Sequence, residues 1–212
     1  YKRQPVGYQI ETEMELCEKF GVSRQTVNKA LQSLANEGYI ERKRGKGSFV
    51  TGPFVQKSIR RHTSFTKDLE SVGMAAGSKL LKYDYLKASD EPEVAAALNL
   101  SDSDHIHYFI RLRTGNGIPI AISYTYLSAV IIPDIDFSAL SRSQDEMTRA
   151  MNIYHKRAIY QLSACVPTDI QMRLLEISPH TALLWNHHLT FDQYDRPYEY
   201  IDTYYICLLY TS

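Results

Sequence analysis

VSRQTVNKALQSLANEGYIERKRGKGSFV, residues 22–50 of the 212-residue chain, holds a helix, its stop and a basic hairpin in immediate succession. Ser23 is a natural N-cap, and Gly38 stops the pattern after Glu37, so the spacing predicts a helix between them. Val27, Ala30, Leu31 and Leu34 recur at i, i+3, i+4, i+7 and mark its buried face. Arg24, Gln25, Asn28, Lys29 and Gln32 are left pointing outward. Upstream, Thr12-Glu13-Met14-Glu15 is a capping box opening a helix with Leu16, Cys17 and Phe20 as its apolar stripe and Gly21 as its stop. Two short helices joined by a tight turn form a helix-turn-helix. Downstream, strands Ile40–Arg44 and Ser48–Thr51 flank Gly45-Lys46-Gly47, a hairpin with a basic tip.

The outward side chains suit base edges in a major groove, Arg for guanine and Gln or Asn for adenine. Ser23 and the first-turn N–H groups suit a phosphate. Arg42, Lys43, Arg44 and Lys46 can lie along the phosphate backbone or the minor groove. Gly45-Lys46-Gly47 lacks the spacing of a nucleotide-binding loop, and a turn accounts for both glycines. Charge is divided in the same sense: residues 1–62 carry 12 Lys/Arg against 6 Asp/Glu, and the remaining 150 carry 12 against 18. Such asymmetry is expected where one part of a chain meets a polyanion.

The longest apolar runs, such as Ala129–Pro133, are too short to span a bilayer, so no membrane partner is expected. Cys17, Cys165 and Cys207 have neither paired nor metal-type spacing, which suits a reducing cytoplasm. His105 and His107 are two apart and His187-His188 adjacent, without a supporting Cys or carboxylate at metal spacing. No metal and no cofactor are expected.

After a linker at 53–63 that carries Lys57, Arg60 and Arg61, Ser64 begins a helix with Phe65, Leu69 and Val72 on one face, stopped at Gly73. Lys79–Lys87 and His105–Thr114 read as strands around a short Pro92–Leu98 helix. Gly115-Asn116-Gly117 is a hairpin signal leading to a strand at Ile118–Leu127. Helices near 143–152 and 168–176 and strands near 157–166, 182–193 and 197–206 complete the set, the last two joined around Asp195-Arg196. Hairpins of this kind imply an antiparallel sheet with packed helices, an α+β class.

Residues 5–51 resemble the winged helix-turn-helix of the GntR family of transcription regulators, in particular its HutC-type branch. The family's base- and phosphate-contacting positions map onto Ser23, Arg24, Gln25 and Asn28 of the second helix and onto Arg44 and Gly45 of the wing. With their neighbours Thr26, Lys29 and Lys46, these are the expected DNA-binding residues. Met14 stands where many relatives carry a base-contacting Arg. The family's first helix precedes the segment aligned with Tyr1, so residues 1–52 are expected to lack it.

Residues 64–206, through SFTKDLESVG, IRLRTGNGIPIAIS and PYEYIDTYY, resemble the UTRA effector-binding domain, which shares the chorismate lyase fold. The resemblance implies that Arg111 and Arg113 hold an effector's anionic group, a sugar phosphate or a carboxylate. It also implies that Glu199 and Tyr205 contact the rest of the ligand, and that the Ser64–Thr66 turn, with Phe65, contacts phosphate. Arg111 and Arg113 are two apart on a strand, so both side chains share a face, and guanidinium forks suit such anions. Ser123 replaces a frequent Glu after the hairpin turn, and the tail from Cys207 to Ser212 departs from the pattern. The domain, taken as 64–212, is expected to dimerise, with two recognition helices on a pseudo-palindromic operator. The expected protein is a cytoplasmic, effector-responsive DNA-binding regulator, a repressor, and not an enzyme. Two rival readings are an enzyme built on the lyase fold and an architectural DNA-binder; turnover requires a placed acid, base or nucleophile, and none is evident.

Overall fold

The structure, a computed structural model, describes residues 8–36, 40–50 and 64–207. The expected helix stop at Glu37–Gly38, the wing residue Thr51, the linker 53–63 and the tail 208–212 lie outside the described residues. The chain divides into two compact units between Val55 and Gln56.

In the first unit, α1 (Glu13–Phe20) starts from a complete capping box, with Thr12 Oγ1 accepting from Glu15 N and Glu15 Oε2 accepting from Thr12 N. Gly21 closes it in the left-handed conformation at φ 63°, where a side chain would be strained. α2 (Arg24–Asn36) begins after Ser23, whose hydroxyl accepts from Thr26 N at 3.2 Å. Val27 and Leu31 bury against Ile40, with Ile10, Leu16, Cys17 and Ala35 packed around them. Ala30 and Leu34, expected on the same buried face, are exposed, as is Phe20 of α1. The described cover is a short helix and a hairpin, and it is narrower than the apolar stripe.

The wing pairs β1 (Ile40–Lys43) with β2 (Gly47–Val50) around Arg44-Gly45-Lys46. Residues 8–10 add a further edge that the sequence did not announce. Gln9 bridges Phe49, and backbone bonds join Ile10 N to Ser48 O and Val50 N to Tyr8 O, each at 2.8 Å.

The second unit starts with α3 (Phe65–Ser71), capped by Ser64. β3 (Ala76–Lys87) leads through a 3-10 turn to α4 (Pro92–Ala97), and then to β4 (His105–Gly115) and β5 (Ile118–Ser128). Between β4 and β5, Asn116 and Gly117 both take positive φ, 52° and 81°, the tight primed turn that matches strand twist. Helices α5 (Phe137–Arg142) and α6 (Gln144–Ala150) then carry the chain from the sheet centre to its far edge. β6 (His155–Cys165), α7 (Asp169–Leu175), β7 (Leu183–Asp192) and β8 (Pro197–Ile206) follow.

The six strands form one antiparallel sheet in the order β3-β4-β5-β8-β7-β6, two three-stranded meanders sealed along β5 and β8. This is the α+β architecture expected. Against one face, Leu140 of α5 and Met147 of α6 pack with Phe109, Leu127, Ile132 and Tyr198. The other face carries two clusters, one beneath α4 around Ile106 and Leu98, and one beneath α7 around Ile122, Leu183 and Leu175. Away from the register shifts, strand period two therefore assigns the residues of β4, β5 and β8 to one apolar layer or the other, and leaves the polar exceptions conspicuous.

Candidate functional site

In the first unit, Ser23, Arg24, Gln25, Thr26, Asn28 and Lys29 are all exposed along α2, and Arg44, Gly45 and Lys46 form the exposed wing turn. The Arg24 side chain is 83% exposed and its Nε donates to Glu13 of α1 at 3.0 Å. The wing's cations do not act as one set. Arg42 pairs with Glu13 at 2.7 Å, and Lys43 pairs with Glu41 at 3.2 Å while lying over the Phe49 ring. Met14 is solvent-exposed and brings no charge to the place of an expected arginine.

In the second unit, Ser64, Phe65, Thr66, Arg111, Arg113, Glu199 and Tyr205, the residues singled out in the sequence, line one cavity of about 90 Å³. Their convergence follows from register. Arg111 pairs with Ser123, which pairs with Thr203; Arg113 pairs with Ala121, which pairs with Tyr205. Arg111 and Arg113 are buried, though an exposed sheet face would have left them solvated. Each guanidinium rests on an aromatic ring, Arg111 on Phe109 at 5.1 Å and Arg113 on Phe65 at 4.3 Å. Such stacking stabilises a cation while leaving its edge donors available.

The Arg111 fork reaches α5 and α6. Its Nη2 donates to Gln144 Oε1, and its Nη1 donates weakly to the Leu140 carbonyl at 3.4 Å. Gln144 Nε2 donates in turn to Glu199 Oε1, while Glu199 Oε2 accepts from Thr190 Oγ1 at 2.7 Å. Burial, first, and then the Arg113 charge press the Arg111 pKa well below the usual guanidinium value, against the pull of Glu199 and Tyr205. A guanidinium stays protonated in proteins. Arg111 is therefore a cation held in a buried place beside a second cation. Arg111 Nε and Ser123 Oγ are buried without a hydrogen-bond partner among the described residues.

Sequence reading did not assign to the site Ser143, Gln144, Asp145 and Thr148 of the α6 region, nor His188, Tyr198 and Thr203, which complete much of the lining. Thr203 was within reach, since it alternates with Glu199 and Tyr205 on β8. Tyr198, a strand tyrosine that β propensity and pocket lining explain equally well in the sequence, reaches the cavity beside Glu199 through a register shift opposite Thr190–Phe191, against strict alternation. Among the described residues, no group of three or more His, Cys, Asp or Glu could hold a metal ion. His107 is buried between Tyr83 and the Ile132 carbonyl. No described helix is long and apolar enough to cross a membrane.

Comparison with known proteins gives this geometry a lineage. Residues 3–50 match the bacterial regulatory proteins of the gntR family, and residues 71–207 match the UTRA domain. The chain is 32% identical to the HTH-type transcriptional repressor NagR of Bacillus subtilis (strain 168), over 92% of this chain and 80% of the relative. It is 26% identical to the mannosyl-D-glycerate transport/metabolism system repressor MngR of Escherichia coli (strain K12), over 84% and 74%. Its fold is similar to the crystal structure of PhnF from Mycobacterium smegmatis, with a TM-score of 0.79 at 23% identity over 98% of this chain and 91% of that one. The chain belongs to the gntR family of bacterial transcription regulators, joining a DNA-binding helix-turn-helix unit to a UTRA effector-binding domain.

Proposed function

We propose that this regulator is a cytoplasmic homodimeric repressor that reads its operator through Arg24, Gln25 and Asn28 on α2. In this reading the cap residue Ser23, Thr26 and Lys29 on α2, and Arg44, Gly45 and Lys46 of the wing hold the phosphate backbone. Its UTRA cavity takes up a small anionic metabolite, a sugar phosphate or carboxylate, and thereby changes DNA affinity.

The observation that carries the effector reading is the pair Arg111 and Arg113, both buried and both lining one cavity. Two guanidinium forks gathered in one cavity suit the oxygens of a phosphate or carboxylate. Glu199, Tyr205 and Ser123 then select the remainder of the ligand, with Glu199 favouring hydroxyl or amine donors. Mannosyl-D-glycerate, named for one relative's system, has that pairing of a carboxylate with hydroxyl groups. Effector cavities are commonly about 300–1,000 Å³, so this one of about 90 Å³ has to widen on uptake, and in this reading Gln144, bonded between Arg111 and Glu199, gives way.

Thermal-shift screening of sugar phosphates and hydroxy acids tests this reading, since a true effector stabilises the fold by mass action. Stabilisation by at least one such anion, recovered chemically unchanged, supports a sensor. Conversion of the ligand supports the rival enzyme, and indifference to every small anion removes the anion site.

A further inference from the structure

Glu13 lies on α1, outside the helix read as facing DNA, yet its carboxylate gathers three side chains from two other elements, α2 and β1. Oε2 accepts from Arg24 Nε at 3.0 Å; Oε1 accepts from Asn28 Nδ2 at 3.0 Å and from Arg42 Nη2 at 2.7 Å. Arg42 Nη1 also donates to Asn28 Oδ1 at 3.2 Å, which fixes the amide's orientation. The Glu13 side chain is only 20% exposed, whereas that of Arg24 is 83% exposed. The carboxylate thus sits beneath the reading face and holds it from behind.

We propose that Glu13 is a positioning residue for operator recognition, presetting Arg24 and Asn28 and withholding Arg42 from indiscriminate phosphate contact. The inference rests on the reading of Arg24 and Asn28 as base contacts. With its Nε bound to Glu13, Arg24 presents its terminal Nη pair, the fork that reaches a guanine edge. With Nδ2 and Oδ1 bound to Glu13 and Arg42, Asn28 loses the rotamers it would otherwise have to give up on binding. A carboxylate this close also repels phosphates, and repulsion of wrong contacts is a recognised source of specificity. Both effects raise the ratio of specific to non-specific affinity, one by favouring the operator and the other by disfavouring arbitrary DNA.

The test is a fluorescence-anisotropy titration of the protein on a duplex enriched by in-vitro selection and on a scrambled duplex of equal length, across a salt series. In Glu13→Ala the operator Kd should rise about tenfold, roughly the effect of one good base contact. The scrambled Kd should hold or fall, and its log–log salt slope should steepen by about 0.9 as Arg42 gains a phosphate. Glu13→Gln, with one acceptor kept and the charge lost, should fall between and guards against a folding defect in the alanine variant. In an Arg24→Ala background the Glu13→Ala effect on operator Kd should shrink, because the two act through one contact.

Equal losses on both duplexes with an unchanged slope would overturn the proposal and make Glu13 a fold residue. If Arg24→Ala and Asn28→Ala reduce the operator-to-scrambled ratio while both Glu13 variants leave it intact, only the positioning role fails. If Arg24→Ala and Asn28→Ala leave that ratio unchanged, the base-contact reading fails, and the Glu13 proposal with it.

Discussion

Replacing Arg111 by Met isolates the anion-holding fork, because Met keeps an unbranched stem over the Phe109 ring and removes only the donors. In the structure that fork gives one bond to Gln144 and a long one to the Leu140 carbonyl, with Nε buried and without a partner among the described residues. An anion can therefore claim at least two of its N–H groups. Hydrogen bonds to charged groups contribute about 1.5–3 kcal/mol each, and partial non-additivity brings two of them to about 3 kcal/mol. That is about 150-fold in Kd. At a ligand concentration of about 100 times the wild-type Kd, mass action stabilises the protein by about 2.7 kcal/mol, and the variant by about 0.3 kcal/mol. For a chain of this size each kcal/mol moves Tm by about 2–4 °C, so the ligand-induced shift should drop from about 5–11 °C to about 1 °C. The ligand-free Tm should hold or rise slightly, because Met removes a cation disfavoured by burial and by Arg113 while giving up its attraction to Glu199. Differential scanning fluorimetry with and without the effector reads both numbers. A variant that keeps the wild-type ligand shift would refute the anion-site reasoning, and one that no longer folds without ligand would make Arg111 a structural residue.

Gln144→Ala removes the group that bridges Arg111 and Glu199. Calorimetry should find effector affinity raised by about tenfold or more, the worth of one competing hydrogen bond to a charged group, whereas weaker binding would place Gln144 among the ligand's own contacts. Arg24→Ala should weaken operator binding by about 1–3 kcal/mol while leaving scrambled DNA nearly unaffected in a gel-shift series; equal operator binding by wild type and variant would remove Arg24 from the base contacts. Burial, partly opposed by bonds to the backbone at Ile132 and Pro133, lowers the pKa of His107 from 6.5, so the folded state holds it neutral where the unfolded chain binds a proton. Stability from this source is complete above pH 6.5 and is lost as pH falls toward the lower folded value. Urea midpoints should accordingly drop between pH 7.5 and 5.5, and less so in His107→Gln; an identical drop in the variant would assign the pH dependence to other groups.

What the sequence disclosed, and what it withheld, follows from the range of each signal. Caps and stops are local chemistry, so Thr12, Gly21, Ser23 and Ser64 mark their helix ends correctly. The turn at Asn116-Gly117 and the period of two along β4 are equally local, and they suffice to put Arg111 and Arg113 on one face. α5 escaped notice because six residues, Phe137–Arg142, are too few to establish a helical period, although Asp136 caps it by accepting from Ala139 N. Gln144 escaped because its place in the cavity depends on how the α5–α6 crossover lies over the sheet, a long-range fact with no local signature. Ala30 and Leu34 show the converse error: periodicity gives the apolar stripe of α2 but not how wide a cover the described neighbours provide. Glu13 reads as an ordinary acidic residue in a first turn, and its three partners on α2 and β1 emerge only when those elements are brought together.

The most direct measurement is operator affinity with and without the anion found by thermal shift, made on the wild type and on Arg111→Met in parallel. Coupling of one site to the other should change the wild-type operator Kd by about 5–150-fold. The variant should bind the operator like the ligand-free wild type and ignore the anion. An operator Kd indifferent to the anion in the wild type, or an equal response in Arg111→Met, would contradict control of DNA binding from the Arg111–Arg113 cavity.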